Sequence, residues 1–123
     1  LRDPWPLNNF AIASGIRIMN EKEFLENWIN SIQAWVRKEG NWIHKEFNKV
    51  NNIKAYPSSI NFLLIKGESS LMPMMAYLKK YNILVRDCRS FQGLSEKWLR
   101  ISLQTRENNL RIVSCIRDAI KQA

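Results

Sequence analysis

The chain has little cysteine and no long apolar run. It carries only two cysteines, four glycines, four prolines and one histidine in 123 residues. Cys88 and Cys115 form no CxxC pair and no metal-ligand spacing, so a disulfide-stapled scaffold and a cysteine metal site are both excluded. Reduced thiols in a cytoplasmic protein are the simplest reading. No stretch reaches the roughly 18 continuous apolar residues of a membrane-spanning helix. Leu1-Arg2-Asp3-Pro4 lacks the apolar centre of a signal peptide and also lacks Met, which suggests that the natural beginning lies elsewhere. GxGxxG and GxxxxGK[ST] phosphate loops are missing too. The lone histidine, His44, has no triad-like partner in sequence, and the carboxylates are scattered or belong to helix starts. General acid–base catalysis therefore has no candidate constellation.

What is there is apolar and basic. Hydrophobic residues make up 46% of the chain, with five tryptophans, enough for the core of one compact domain over 1–123. Lys+Arg number 19 against 11 Asp+Glu, a net charge of +8, so the surface attracts anions. The basic residues are dispersed, which weakens a nucleic-acid reading, and neither an RNP-like nor a KH-like motif is present.

Hydrophobic spacing orders the elements. Pro4-Trp5-Pro6 is a stiff opening. Leu7 to about Met19 reads as a helix, in which Gly15 suggests close packing. Asn20 and Glu23 form a capping box for a long second helix. Phe24, Leu25, Trp28, Ile29, Ile32, Trp35 and Val36 make its core stripe, extended by Trp42, Ile43 and Phe47, with a possible bend at Gly40 and an end at Asn51-Asn52. Strands follow at Ile53–Tyr56 and Ile60–Lys66. Ser69-Ser70 caps a helix over Leu71–Tyr81, with Pro73 in its first turn. Two further strands come next. Thr105 then caps a last helix whose buried stripe is Leu110, Val113, Ile116 and Ile120. The order gives an α/β (α+β) sandwich, a small mixed or antiparallel sheet with helices mainly on one face.

The last two strands are the most informative segment. In the first, Ile83, Val85 and Asp87 share one face, and Leu84, Arg86 and Cys88 the other. In the second, Leu99, Ile101 and Leu103 oppose Trp98, Arg100 and Ser102. Arg86 and Arg100 are equidistant from Gly93, so an antiparallel hairpin centred there sets the two guanidinium groups side by side. Like charges directly opposed destabilise a sheet, and a shared anion relieves that cost, because guanidinium forks grip carboxylate and phosphate. Two solvated surface arginines are the alternative. Cys88, beside Arg86, has no base to make it a nucleophile.

Four motifs carry a resemblance across the whole chain. They are Pro4-Trp5-Pro6-Leu7-Asn8; Pro57-Ser58-Ser59-Ile60-Asn61-Phe62; Val85-Arg86-Asp87-Cys88 with Phe91 and Gly93-Leu94; and Leu99-Arg100-Ile101-Ser102 with Thr105-Arg106-Glu107-Asn108-Asn109. In this order they resemble the C-terminal small domain of fold-type-I pyridoxal-phosphate enzymes, in the branch holding threonine-phosphate decarboxylase and histidinol-phosphate aminotransferase. Cys88, the Phe-x-Gly-Leu and the Trp after Pro4 favour the decarboxylase. The resemblance implies that Arg100 holds the substrate carboxylate and Arg86 a second anionic group. It further implies a pyridoxal 5'-phosphate cofactor, a small anionic substrate, cobalamin biosynthesis as setting, a cytoplasmic homodimer, and no nucleic-acid or membrane partner. None of the ten lysines sits in the family's Ser/Thr-Lys setting for the Schiff base. The large domain that carries that lysine is therefore missing, and no cofactor-binding or metal-binding residue is assigned here. The competing readings are a small basic polyanion-binding module and a regulatory small-molecule domain.

Overall fold

The computed structural model describes residues 6–122, so Pro4-Trp5 of the first motif lies outside the described residues. The element order is α1 (Asn9–Asn20), α2 (Lys22–Phe47), β1 (Ile53–Ala55), β2 (Phe62–Gly67), α3 (Met72–Lys80), β3 (Arg86–Asp87), β4 (Trp98–Ser102) and α4 (Arg106–Lys121). This is the order read from the hydrophobic spacing. The chain divides into two compact units, one ending at Ala34 and the other running from Trp35.

In the first unit, the Asn8 side chain accepts from the Ala11 amide at 2.9 Å and caps α1. No capping box forms, because Asn20 is the last residue of α1 and Glu21 alone separates it from α2. The amide of Glu21 still bonds back to Ile18, and the Glu21 carbonyl already accepts from Leu25. One residue thus ends the first helix and starts the second. No residue of α1 is buried, and among the described residues nothing packs against Gly15, where the sequence suggests close packing. The first half of the α2 stripe is likewise uncovered: Phe24 and Trp28 are 55% and 54% exposed, and Ile29 and Ile32 face solvent too.

The second unit holds the core. Its sheet is antiparallel throughout, in the order β1-β2-β4-β3. Side-chain alternation decides its two faces. Ile53, Ala55, Leu63, Ile65, Leu99 and Ile101 are buried on one face. They join Ile43 and Phe47 of α2, Leu78 of α3, and Val113 and Ile116 of α4 in one cluster. Helices therefore cover that face; α2 runs through the buried Gly40 and ends at Phe47, before the Asn51-Asn52 stop that the sequence predicts. In α4 the buried stripe is Asn109, Ile112, Val113, Ile116 and Ala119, while Leu110 is exposed. Thr105 caps α4 as expected, its hydroxyl accepting from the Asn108 amide at 3.4 Å. Leu71, rather than a serine, is the N-cap of α3; Ser70 accepts from the Met72 amide one step outside it.

A buried polar cluster joins α2 to the start of α4. Arg106 donates to both carboxylate oxygens of Glu39, at 2.9 and 3.0 Å, and Asn109 donates to Glu39 at 3.2 Å. The Arg106 guanidinium also lies 4.1 Å from the Trp42 ring centroid. Asn109, fully buried, closes a loop by accepting from the Gln104 amide and donating to the Gln104 carbonyl. The hydrogen bond from Arg106, opposed by burial and helped by Asn109, holds the Glu39 carboxyl below its ordinary value.

Two outcomes follow from this architecture. A depressed Glu39 pKa contributes stability that is complete above the unfolded value, about 4.3, and is lost as pH falls through the folded value. Glu39→Gln should cost about 1.5–3 kcal/mol at neutral pH, and should flatten the acid limb of urea-midpoint measurements between pH 6 and pH 3. An unchanged limb would remove the assignment. Separately, Phe10→Ser with Trp28→Ser should leave the urea midpoint nearly unchanged, because neither ring is buried.

Candidate anion-binding face

β4 pairs with β2 across Phe62↔Ser102 to Lys66↔Trp98, and with β3 across Arg86↔Arg100 and Asp87↔Leu99. Arg86 and Arg100 are thus directly opposed, in the register that equal spacing about Gly93 predicts. Gly93 itself has φ +81°, a conformation that favours glycine. Directly opposed residues project from the same side of a sheet. Here that side is the one facing away from the helices, since Leu99 and Ile101 fill the other.

The two arginines are held differently. Arg100 is half-buried, with its guanidinium carbon 4.3 Å from the Phe62 ring centroid. Its Nε is buried and has no hydrogen-bond partner. Arg86 is exposed; it lies 5.7 Å from the Phe91 centroid, and its Nη2 reaches the Ser90 hydroxyl at 3.5 Å. A third arginine nearby is already neutralised. Arg89 pairs with Asp87 through Nε and Nη2, at 2.9 and 2.7 Å to Oδ2, and that ion pair holds the Asp87 carboxyl below its usual range. Among the described residues neither Arg86 nor Arg100 has a carboxylate partner. The pair is therefore two charged forks, Arg100 set closely on Phe62 and Arg86 more loosely over Phe91, with no counterion among the described residues.

A shallow groove of about 390 Å³ opens beside Arg100, lined by Tyr56, Pro57, Ile60, Phe62, Leu64 and Trp98. Arg86 does not line it. Cys88 departs from the sequence reading. The strand ends at Asp87, so Cys88 does not share the exposure of Arg86; it is 1% exposed and lies outside the helix-covered core cluster. Burial pushes its thiol up, against the opposing pull of Arg100. That is the reverse of an activated nucleophile. His44 bonds to the Asn48 side chain at 3.1 Å and belongs to the surface of α2. Among the described residues no group of His, Cys, Asp and Glu suits a metal ion.

The sequence reading did not foresee the aromatic brace of Arg100. The signal was present in the alternation of β2, where Phe62 shares a face with Leu64 and Lys66. It became legible only once β2 was known to neighbour β4.

No protein-family model matches the chain. A putative threonine-phosphate decarboxylase of Caldanaerobacter subterraneus is 25% identical over 117 residues, covering 94% of this chain and 31% of the relative. A histidinol-phosphate aminotransferase of Methanococcus maripaludis is 30% identical over 117 residues, covering 94% and 30%. Among solved structures, the histidinol-phosphate aminotransferase of Clostridium acetobutylicum superposes with a TM-score of 0.80 at 22% identity, covering 99% of this chain and 36% of that one. The last likeness shows the fold. This chain spans about three tenths of the length of the relatives it matches. The resemblance carried by the motifs thus holds along nearly the whole chain, which is similar in sequence and in fold to the small-domain portion of class I/II aminotransferase-like enzymes, threonine-phosphate decarboxylases and histidinol-phosphate aminotransferases among them.

Proposed function

We propose that this chain is the C-terminal small domain of a pyridoxal-phosphate-dependent enzyme, and that its part in the reaction is to hold the anionic groups of a phosphorylated amino acid or amino alcohol. The reaction favoured is decarboxylation of L-threonine O-3-phosphate. Transamination of histidinol phosphate is the second reading, supported by the 30% identity to the Methanococcus enzyme. The observation that carries the proposal is the coincidence of similarity over 117 residues with a directly opposed arginine pair that lacks a counterion.

The chain's own residues do not fit covalent attachment of the cofactor. A Schiff-base lysine needs a desolvated or cationic setting that keeps its amine neutral, and all ten lysines are exposed. The lysine belongs to a large domain, against which this one packs in a cytoplasmic homodimer under the same proposal. The residues do fit substrate anchoring. Arg100, braced by Phe62, presents a fork of fixed direction to a carboxylate. Arg86 stands across the strand pair for a second anion. Two fixed contacts orient a flexible substrate, and orientation of the bond to be broken is worth several orders of magnitude in rate.

The test uses the full polypeptide that contains this chain. CO2 release from L-threonine O-3-phosphate is expected; amino transfer from histidinol phosphate to 2-oxoglutarate supports the second reading, and neither activity overturns both. Arg100→Lys should reduce kcat/KM roughly 10- to 150-fold although charge is kept, because an ammonium cannot reproduce the bidentate fork. Arg86→Ala should weaken phosphorylated substrates more than unphosphorylated ones; equal losses would remove its anchoring role. The 123-residue chain alone, reduced with borohydride in the presence of the cofactor, should give no single labelled lysine.

A further inference from the structure

The helix-free face of the sheet carries a second set of opposed cations. Lys54 of β1 pairs directly with Lys66 of β2, and Lys66 pairs directly with Trp98 of β4. This row lies one step along the strands from the Leu64–Arg100–Arg86 row. As with the arginines, two like charges directly opposite each other destabilise a sheet unless something offsets them. Part of the offset is internal. The Lys54 Nζ lies 5.2 Å from the Tyr56 ring centroid and the Lys66 Nζ 5.1 Å from that of Trp98, at the distances of cation–π contacts. The two rings pack on each other, with centroids 5.4 Å apart.

No carboxylate completes the offset. Among the described residues none of Lys54, Lys66 and Lys97 enters an ion pair. Instead the Lys97 ammonium donates to the backbone carbonyl of Glu68 at 2.8 Å, which brings it to the same place. All three lysines line one groove of about 490 Å³, with Tyr56, Gly67 and Glu68. Glu68 is the only acid there, so the lining carries an excess of two positive charges. The groove wall is fixed by Gly67. Its amide bonds to the Lys97 carbonyl, and an added Cβ would lie 2.5 Å from the Leu71 Cδ2 and 2.8 Å from the Ser69 carbonyl oxygen. The backbone between Lys66 and Glu68 is thus closely packed beneath the lysine row, on the buried side of the sheet.

We infer that Lys54, Lys66 and Lys97 form an anion site for a phosphoryl group, lying between strands β1 and β2 of the sheet's open face and separate from the arginine pair. Ammonium groups suit it: they act as compact point charges that converge on a tetrahedral anion without the planar geometry a carboxylate asks of arginine. The ligand class is a phosphorylated small molecule. The inference does not depend on any catalytic activity.

Inorganic pyrophosphate is the probe, titrated into the 123-residue chain by calorimetry at low ionic strength, where exposed charges are least screened. Lys54→Ala and Lys66→Ala should each weaken binding roughly two- to fivefold, as single exposed charge contacts do, and together roughly tenfold or more. Lys79→Ala removes the same charge from α3 and should leave the affinity within about twofold. Circular dichroism of the variants should match the parent, since all these side chains are exposed. Three results overturn the inference: no heat from the parent chain, an equal loss in Lys79→Ala, which would mark diffuse charge attraction only, or a larger loss in Arg86→Ala or Arg100→Ala than in the lysine variants.

Discussion

The carboxylate of Glu39 is the constraint from which the geometry of the open face descends. It is buried, and burial of a charge is costly unless the charge is paired and hydrogen-bonded. Arg106 and Asn109 supply that pairing from the first turn of α4. Asn109 in turn grips both polar backbone groups of Gln104. Between Gln104 and β4 only Leu103 intervenes, and its amide bonds to the Asn61 carbonyl just before β2. The end of β4 is thereby tied to α2 on one side and to the start of β2 on the other. A strand so tied has one register, and that register decides which side of the sheet Arg100 occupies.

Much of this was legible in the sequence, for reasons that are local. Alternation in Trp98–Leu103 is strict, and the burial of Leu99, Ile101 and Leu103 against the half-buried or exposed Trp98, Arg100 and Ser102 follows it. Thr105 and Pro73 have positional meanings that do not depend on the rest of the chain. What was not legible is what depends on partners. The stripe from Phe24 to Ile32 states that a helix face wants cover, but not whether this chain provides it. Leu110 fits a helical period equally well beside Ile112 and Val113, and only the placement of α3 and the sheet decides which are buried. Asn20 and Glu23 have the spacing of a capping box, yet α1 continues through Asn20 and takes the residue for itself. The Glu39–Arg106 pair joins residues far apart in sequence, and no local pattern announces it.

The open face sorts its cations by chemistry. Arginines occupy the row between β4 and β3, where a planar fork braced by Phe62 gives direction. Lysines occupy the row between β1 and β2, where rounded charges over Tyr56 and Trp98 give attraction without direction. Both rows exist because one face of an antiparallel sheet is covered by helices and the other is not. Similarity to enzymes that act on phosphorylated compounds and a sheet face rich in unpaired cations thus point the same way from independent grounds.

The register of β4 is locked through β2, not through the stretch from Arg89 to Ser95 that leads to it from β3. That stretch makes no backbone hydrogen bond to β2, whereas Glu96 and Lys97, which follow it, accept from the Leu71 and Gly67 amides. Its length can therefore change, by insertion or deletion, while the address of Arg100 stays constant. A lineage built on this sheet would be able to renew that loop again and again without moving the strand that carries Arg100, and diversity among relatives should concentrate there.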